Sequence, residues 1–531
     1  MKNISKSLLI ASSTLLLATS CIDETLPTSG VTEDQLSSSA KATEALLWGF
    51  PAVANQFDIN GQDLAYDWGH GSILHIRDVM TEDMAIVESS YDWYTAWECN
   101  RYIGQDYAST GFVWKHYTTL FQAANNIIRA IDEETASDLQ KQYLGVGHAF
   151  RAFANLDAAR MWEFLPNDKV NSINSYDNDV NGLTIPIVTE DLTEEQARNN
   201  PRVSHKEIFD FILSDLDKAE VLIADYKRPA KVMPNLAVVY GLKARLYMWD
   251  EQYDKAREYA RKAIDESGCT PLTKDEWLNT NTGFNDASSN SWMFAVQAVK
   301  ENAVVQTGIL NWTSWMSNEA TYGYASAGPM SMAGVAFYNK INDNDWRKLS
   351  WKAPEGTRLE SSMVYCNEEI GEGLVDYASV KFRPGSGNTS DYSIGSATAY
   401  PLMRVEEMHF IEAEAAAHLN PAEGAEIITD FMRTHRYKQY TCYATEKDAI
   451  VEEIVFQKRI ELWGEGQSFF DIKRLNLPVT RVYEGTNFGA DAQFNTTTRP
   501  AWMNFVFVRS EGNNNTAILE WNNPDPSDCY K

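Results

Sequence analysis

The amino-acid sequence predicts a mainly α-helical fold, with paired helices as a scaffold and long irregular loops between them. Three observations carry this. In several segments apolar residues recur every three or four positions, the period of one helix face. Two long stretches, about 55–111 and 268–400, lose that period and fill with Gly, Asn, Asp and aromatic residues. The 531 residues are 44% hydrophobic and 12% aromatic, enough to bury a sizeable core.

The first element is a leader. Lys2 and Lys6 precede an apolar run, Leu8 to Ala18, broken by Ser12, Ser13 and Thr14. Ala18, Thr19 and Ser20 then lead into Cys21. A charged start, an apolar middle and small residues before a cleavage point make a signal peptide. The run is too short and interrupted for a membrane span. Residues 1–20 are therefore read as a lipoprotein signal, and Cys21 as the lipidated first residue; the alternative is an ordinary secretory signal with a chance cysteine. Several acyl chains anchor stably where one binds only marginally. The Ser/Thr/Pro/acid-rich residues 21–40 read as a flexible tether. Residues 41–531 read as a single domain, with scaffold at about 112–267 and 401–476 and an irregular C-terminal segment, 477–531.

Within that domain, Ala40 to Ala54 is a plausible amphipathic helix, and 61–111 reads as an aromatic surface-loop system. Phe112 to Ala130 reads as a helix. Gln140 to Phe164 is another, with Tyr143, Val146, Phe150 and Phe153 on one stripe. The segment 184–202 (with LTIPIV) reads as loop and short strand. Ser204 and Glu207 stand at the capping-box offset before a third helix. Asn235 to Trp249 and Tyr253 to Glu266 form the clearest pair, turning at Asp250–Gln252. Ala256, Ala260 and Ala263 leave room for close approach. Their spacings resemble a tetratricopeptide unit, echoed by Val405 to Leu419 and Ala422 to Tyr437. Between 268 and 400 only Trp292 to Val299 reads as a strand. A last strong helix covers about Lys447 to Trp463, and Gly464 or Gly466 can end it.

Composition excludes several functions. Losing Lys2 and Lys6 with the leader takes the net charge from -28 to -30. Nucleic acid is disfavoured, because phosphate neutralisation needs a basic surface. Neutral ligands are mildly favoured over sulfated or uronate-rich ones. Cys99, Cys269, Cys366, Cys442 and Cys529 are scattered without a CxxC, so they show neither a disulfide framework nor a zinc site, and any pairing stays open. No phosphate-binding loop, dinucleotide fingerprint, nucleophile elbow or HExxH stands in its required context. His70 and His75 are a weak metal signal. No carboxylate pair is marked for glycoside hydrolysis.

Residues 454–476 read IVFQKRIELWGEGQSFFDIKRLN. Lys458, Arg459, Glu461, Leu462, Gly464, Glu465, Gly466, Phe470, Asp471, Lys473 and Arg474 match a pattern that resembles the RagB/SusD family of surface nutrient-binding lipoproteins. The helix from Arg404 (RVEEMHFIEAEAAA) resembles that family's Arg–Glu-Ala helix. NDNDWR at 342–347 resembles its D-P-R segment, with Trp346 in place of Pro. The C-terminal TAILEWNNPDPSDCYK departs from the family's usual ending. The signature's charges read as a paired helix end and turn holding the last helix on the repeats.

The resemblance implies a SusD-like, tetratricopeptide-like scaffold with ligand-binding loops. It implies a non-catalytic outer-membrane lipoprotein facing the cell exterior, which captures an oligosaccharide or other nutrient and passes it to a SusC-like TonB-dependent transporter. No cofactor is expected. The family sometimes holds a structural calcium, for which no ligand set matches here. By position, the resemblance implies ligand contacts from Arg77, from Trp93 or Trp97, and from Asn100 in the first aromatic stretch, and from Trp312, Trp315, Tyr322 and Tyr324 in the second. Two other classes stand as alternatives: a helical-repeat adhesion or assembly protein, and a surface glycoside hydrolase.

Overall fold

The computed structural model describes residues 40–531. The leader, Cys21 and nearly all of the tether lie outside the described residues.

The scaffold is a succession of packed helices. The single N-terminal helix expected at 40–54 is two, α1 (Ala40–Leu47) and α2 (Gly49–Ala54). In the first aromatic stretch lie α3 (His70–Val79) and strand β1 (Met84–Ile86). Then come α4 (Ala108–Arg129), α5 (Asp138–Trp162), α6 (His205–Leu222), α7 (Leu236–Trp249) and α8 (Tyr253–Ser267). Each packs on the next. Ser204 caps α6 in a complete capping box with Glu207, and Asn235 caps α7. Such caps satisfy donors that the first turn leaves open, worth about 1 kcal/mol each. Close approach is visible at α7, where a Cβ on Gly241 would lie 2.3 Å from the Met403 sulfur. Ala256, Ala260 and Ala263 are the buried residues of α8, as their small size anticipates.

After α8 the chain enters the long insertion. Two antiparallel ribbons tie the irregular parts down. Strand β2 (Trp292–Gln297) pairs with β4 (Ala399–Arg404), Trp292 opposite Arg404. Strand β1 pairs with β3 (Ser331–Ala333), Met84 opposite Ala333. Strand β4 runs straight into α9 (Val405–Leu419), which packs on α8, on α10 (Pro421–His435) and on α11 (Lys447–Glu461). Helix α12 (Ser468–Arg474) follows the glycine turn. Both Gly464 and Gly466 are left-handed, with φ of 78° and 67°.

Two expectations are corrected. The stretch 61–111 is only in part a surface-loop system: all ten residues of α3 are buried, whereas Tyr91, Trp93, Tyr102 and Tyr107 are exposed. Helix α3 buries polar side chains such as His70, Arg77 and Asp78 beside apolar ones, so its sequence shows no clean apolar stripe. Tyr66, Trp68, Tyr94 and Trp97 join the same core. In 184–202 the expected strand is absent; isolated bridges flank a short helix, Glu194–Ala197, capped by Thr193.

The signature folds as a charge-paired hub. Glu461 is fully buried and meets Arg347 (2.8 Å), Arg404 (3.2 Å) and Arg436 (2.6 Å). Glu465 meets Lys381 at 2.7 Å and Arg404 at 2.9 Å. Lys458 pairs with Asp471, and Arg474 with Asp471 and Glu414. The ammonium of Lys473 donates to the carbonyls of Arg160 and Met161 at the end of α5. The divergent C-terminus is nevertheless integrated: Asn523 donates to the carbonyls of Trp162 and Phe505, and Tyr530 packs on Trp502.

Candidate functional site

The two aromatic stretches meet. A Cβ on Gly328 would lie 2.4 Å from the Ser89 hydroxyl, so the loop carrying Trp93 touches the loop carrying Tyr322 and Tyr324. Their side chains form two layers.

The inner layer is rigid. Trp315 stacks on Tyr324 at 4.3 Å and meets Tyr94 edge-on at 4.8 Å. Trp97 meets Tyr66 at 4.9 Å, and Trp312 stacks on Tyr400 at 4.6 Å. The Tyr94 hydroxyl takes a hydrogen bond from the Trp68 indole N–H and shares one with Ser72. Offset and edge-on aromatic pairs add about 0.5–1.5 kcal/mol each beyond their buried area.

The outer layer faces solvent. Trp93 is 49% exposed and Tyr91 53%. Tyr324 is half-buried, with one ring face covered by Trp315. Its backbone N–H donates to the Ser314 hydroxyl, fixing the loop. Tyr322 is also half-buried; its hydroxyl donates to the Asn388 carbonyl, and its ring meets that of Tyr392, which is 43% exposed. Asp63 lies close enough to raise the Tyr324 phenol further, after burial.

Of the eight sequence candidates, Trp93 is exposed and Tyr322 and Tyr324 are half-buried. The other five are buried. Trp97, Trp312 and Trp315 are inner-layer rings, each no more than 4% exposed. Arg77 is fully buried in α3, with its guanidinium 2.8 Å from Asp157 and over the ring of Phe470. Asn100, at φ 51°, is buried and donates to the Pro526 carbonyl, clamping the C-terminus. In this conformation these five can support a bound molecule but not touch it. Sequence reasoning does not single out Tyr392 or Asp63; one aromatic or acid in an aperiodic loop carries no signal of its own.

The groups around the site are poor proton carriers. Burial pushes Tyr66 up to about 12 and Tyr322 further. Burial lowers His75 to about 3, so it is neutral. What the surface presents is aromatic faces, phenol hydroxyls and the Asp63 carboxylate. Among the described residues no group of three His, Cys, Asp or Glu side chains could hold a metal ion. A charged chamber of about 40 Å³ between Arg160, Arg245, Glu407 and Asp471 has room for water but falls far below a ligand pocket of roughly 300 Å³.

Residues 311–524 match the model of the SusD family. Over those residues the chain is similar to the SusD family. The chain is 23% identical over 405 residues to SusD-like protein P38 of Formosa agariphila, covering 69% of itself and 72% of that relative. Its fold matches a crystal structure described as a SusD-like carbohydrate binding protein from Bacteroides vulgatus, with a TM-score of 0.71, 23% identity, and 92% and 98% of the two chains covered. A second Bacteroides vulgatus structure, a SusD superfamily protein, gives 0.68 at 16% identity, with 90% and 97% covered. No helix among the described residues is long and apolar enough to cross a membrane.

Proposed function

We propose that this protein captures a neutral oligosaccharide at the outer face of an outer membrane, held there through Cys21, and passes it to a SusC-like TonB-dependent transporter without altering it. The observation that carries the reading is the exposed aromatic surface: Tyr324 is stacked on the inner ring of Trp315, Tyr322 is held by the Asn388 carbonyl beside Tyr392, and Trp93 is exposed on the adjoining loop. Flat rings with few rotatable bonds cover the C–H faces of sugars at low entropic cost, and phenols and carboxylates hold the hydroxyls. A fold match to a carbohydrate-binding protein supports the choice of ligand class. The reading requires no cofactor, no metal and no nucleic-acid partner.

The test is isothermal titration of the mature soluble chain against a panel of neutral glycans. Trp93→Ala with Tyr324→Ala should weaken the best ligand at least about tenfold, roughly 1.4 kcal/mol, with an unchanged melting profile. Binding equal to wild type sinks this site. Release of shortened glycan from the wild type sinks the non-catalytic reading and favours a hydrolase.

A further inference from the structure

A concavity separate from the aromatic surface lies elsewhere on the protein. It encloses about 710 Å³ and runs between the start of α4, the loop around Asn60 and Gln62, and the segment 508–514. Three features mark it as a place for a ligand. The side-chain amides of Asn60, Gln62, Gln105, Asn513 and Asn514 all line it, and none has a hydrogen-bond partner among the described residues. An unbonded amide offers two donors and an acceptor, the pattern that sugar hydroxyls match. Tyr107 is 39% exposed on its wall and is braced edge-on by Tyr102 at 5.2 Å. The charges of the lining cancel: Asp106 pairs with Arg509, and Glu511, which accepts from the Trp114 indole, is offset by Lys115. A balanced, amide-rich, aromatic wall suits a neutral polyhydroxylated chain better than an anion or an apolar peptide.

The groove is joined to the aromatic surface by one short loop. The Asp58 carboxylate accepts from the backbone N–H groups of both Gln62 and Asp63, so the two residues are held by one turn. Gln62 lines the groove, while Asp63 acts on Tyr324. We infer that the groove is a second saccharide subsite continuing the Trp93–Tyr324 surface, and that the ligand is a neutral glycan long enough to occupy both. This rests on the proposed function, which requires only the first surface.

The experiment titrates wild type with malto-, cello-, xylo- and manno-oligosaccharides from the disaccharide to the dodecasaccharide. In the class that binds, affinity should climb about tenfold or more beyond the length that saturates the first surface. Gln105→Ala/Tyr107→Ala/Asn514→Ala should abolish that gain and leave short-glycan affinity unchanged. Asn514→Trp, which fills the groove and removes no bond, should do the same and guards against a folding defect. If short glycans bind but length adds nothing, or both variants keep the wild-type length dependence, the groove inference is overturned and the first surface stands. If no glycan of any length binds, both fall.

Discussion

At Glu461 three arginines from distant parts of the chain close on one carboxylate. Burial alone would raise its pKa, but Arg436, Arg347 and Arg404 hold it well below the ordinary carboxylate range. A folded value below the unfolded one of about 4.3 means that the contribution is present at neutral pH and lost only as the pH falls toward the folded value. Removing the charge leaves the guanidinium groups partly uncompensated in a dry interior. Glu461→Gln should therefore cost about 3–5 kcal/mol in denaturant unfolding, while glycan affinity of the protein that remains folded should not change. A loss under about 1 kcal/mol would show that Asp345, Glu406 and Glu465 carry the arginines without it. Residue identity alone cannot separate such roles. Trp93 and Trp97 are four apart in one aperiodic stretch, yet one is half exposed and the other sealed against Tyr66.

Helices whose apolar residues recur every three or four positions over several turns are legible, even where, as in Val405–Leu419, almost every residue is buried. Val405–Leu419 has the bounds its apolar stripe predicts, and α6 starts at its capping box. Helix α3 gives no such pattern, because it is only ten residues long and buries His70, Ser72, His75, Arg77 and Asp78 among its apolar residues. The two aromatic stretches touch in the structure, but periodicity does not tell an inner ring from an outer one. The turn between α11 and α12 was legible through its glycines, and one of them does more than turn the chain. At Gly466 a Cβ would stand 3.0 Å from both the Leu74 Cα and the Arg77 Nε, besides being left-handed. Gly485 is also left-handed, at φ 79°, but faces open space. A left-handed non-glycine residue costs about 1–3 kcal/mol. Gly485→Ala should fall at the low end of that range, and Gly466→Ala at or beyond its top, measured by thermal melting. Equal losses would mean that contact with α3 is easily relieved.

Across the whole molecule, the proposed division of labour separates anchor from body. Cys21→Ala should move the protein from the membrane fraction to the soluble fraction with full glycan affinity; a soluble protein that no longer binds would show that the anchor shapes the site. The contrast is checkable because no residue of the aromatic surface lies before Asn60.

The Glu461 hub also bears on when this chain can fold. Arg347, Arg404 and Arg436 all precede the carboxylate that neutralises them, and Asn523 locks the end of α5 only when the last ten residues arrive. A chain emerging from its N-terminus can build α4 to α8 and can pair Arg347 with Asp345, and Arg404 and Arg436 with Glu406, but the carboxylate that all three arginines share arrives only with residue 461. Closure of the interior is thus deferred to the final seventh of the polypeptide. The trailing end of the chain holds the part that completes the fold.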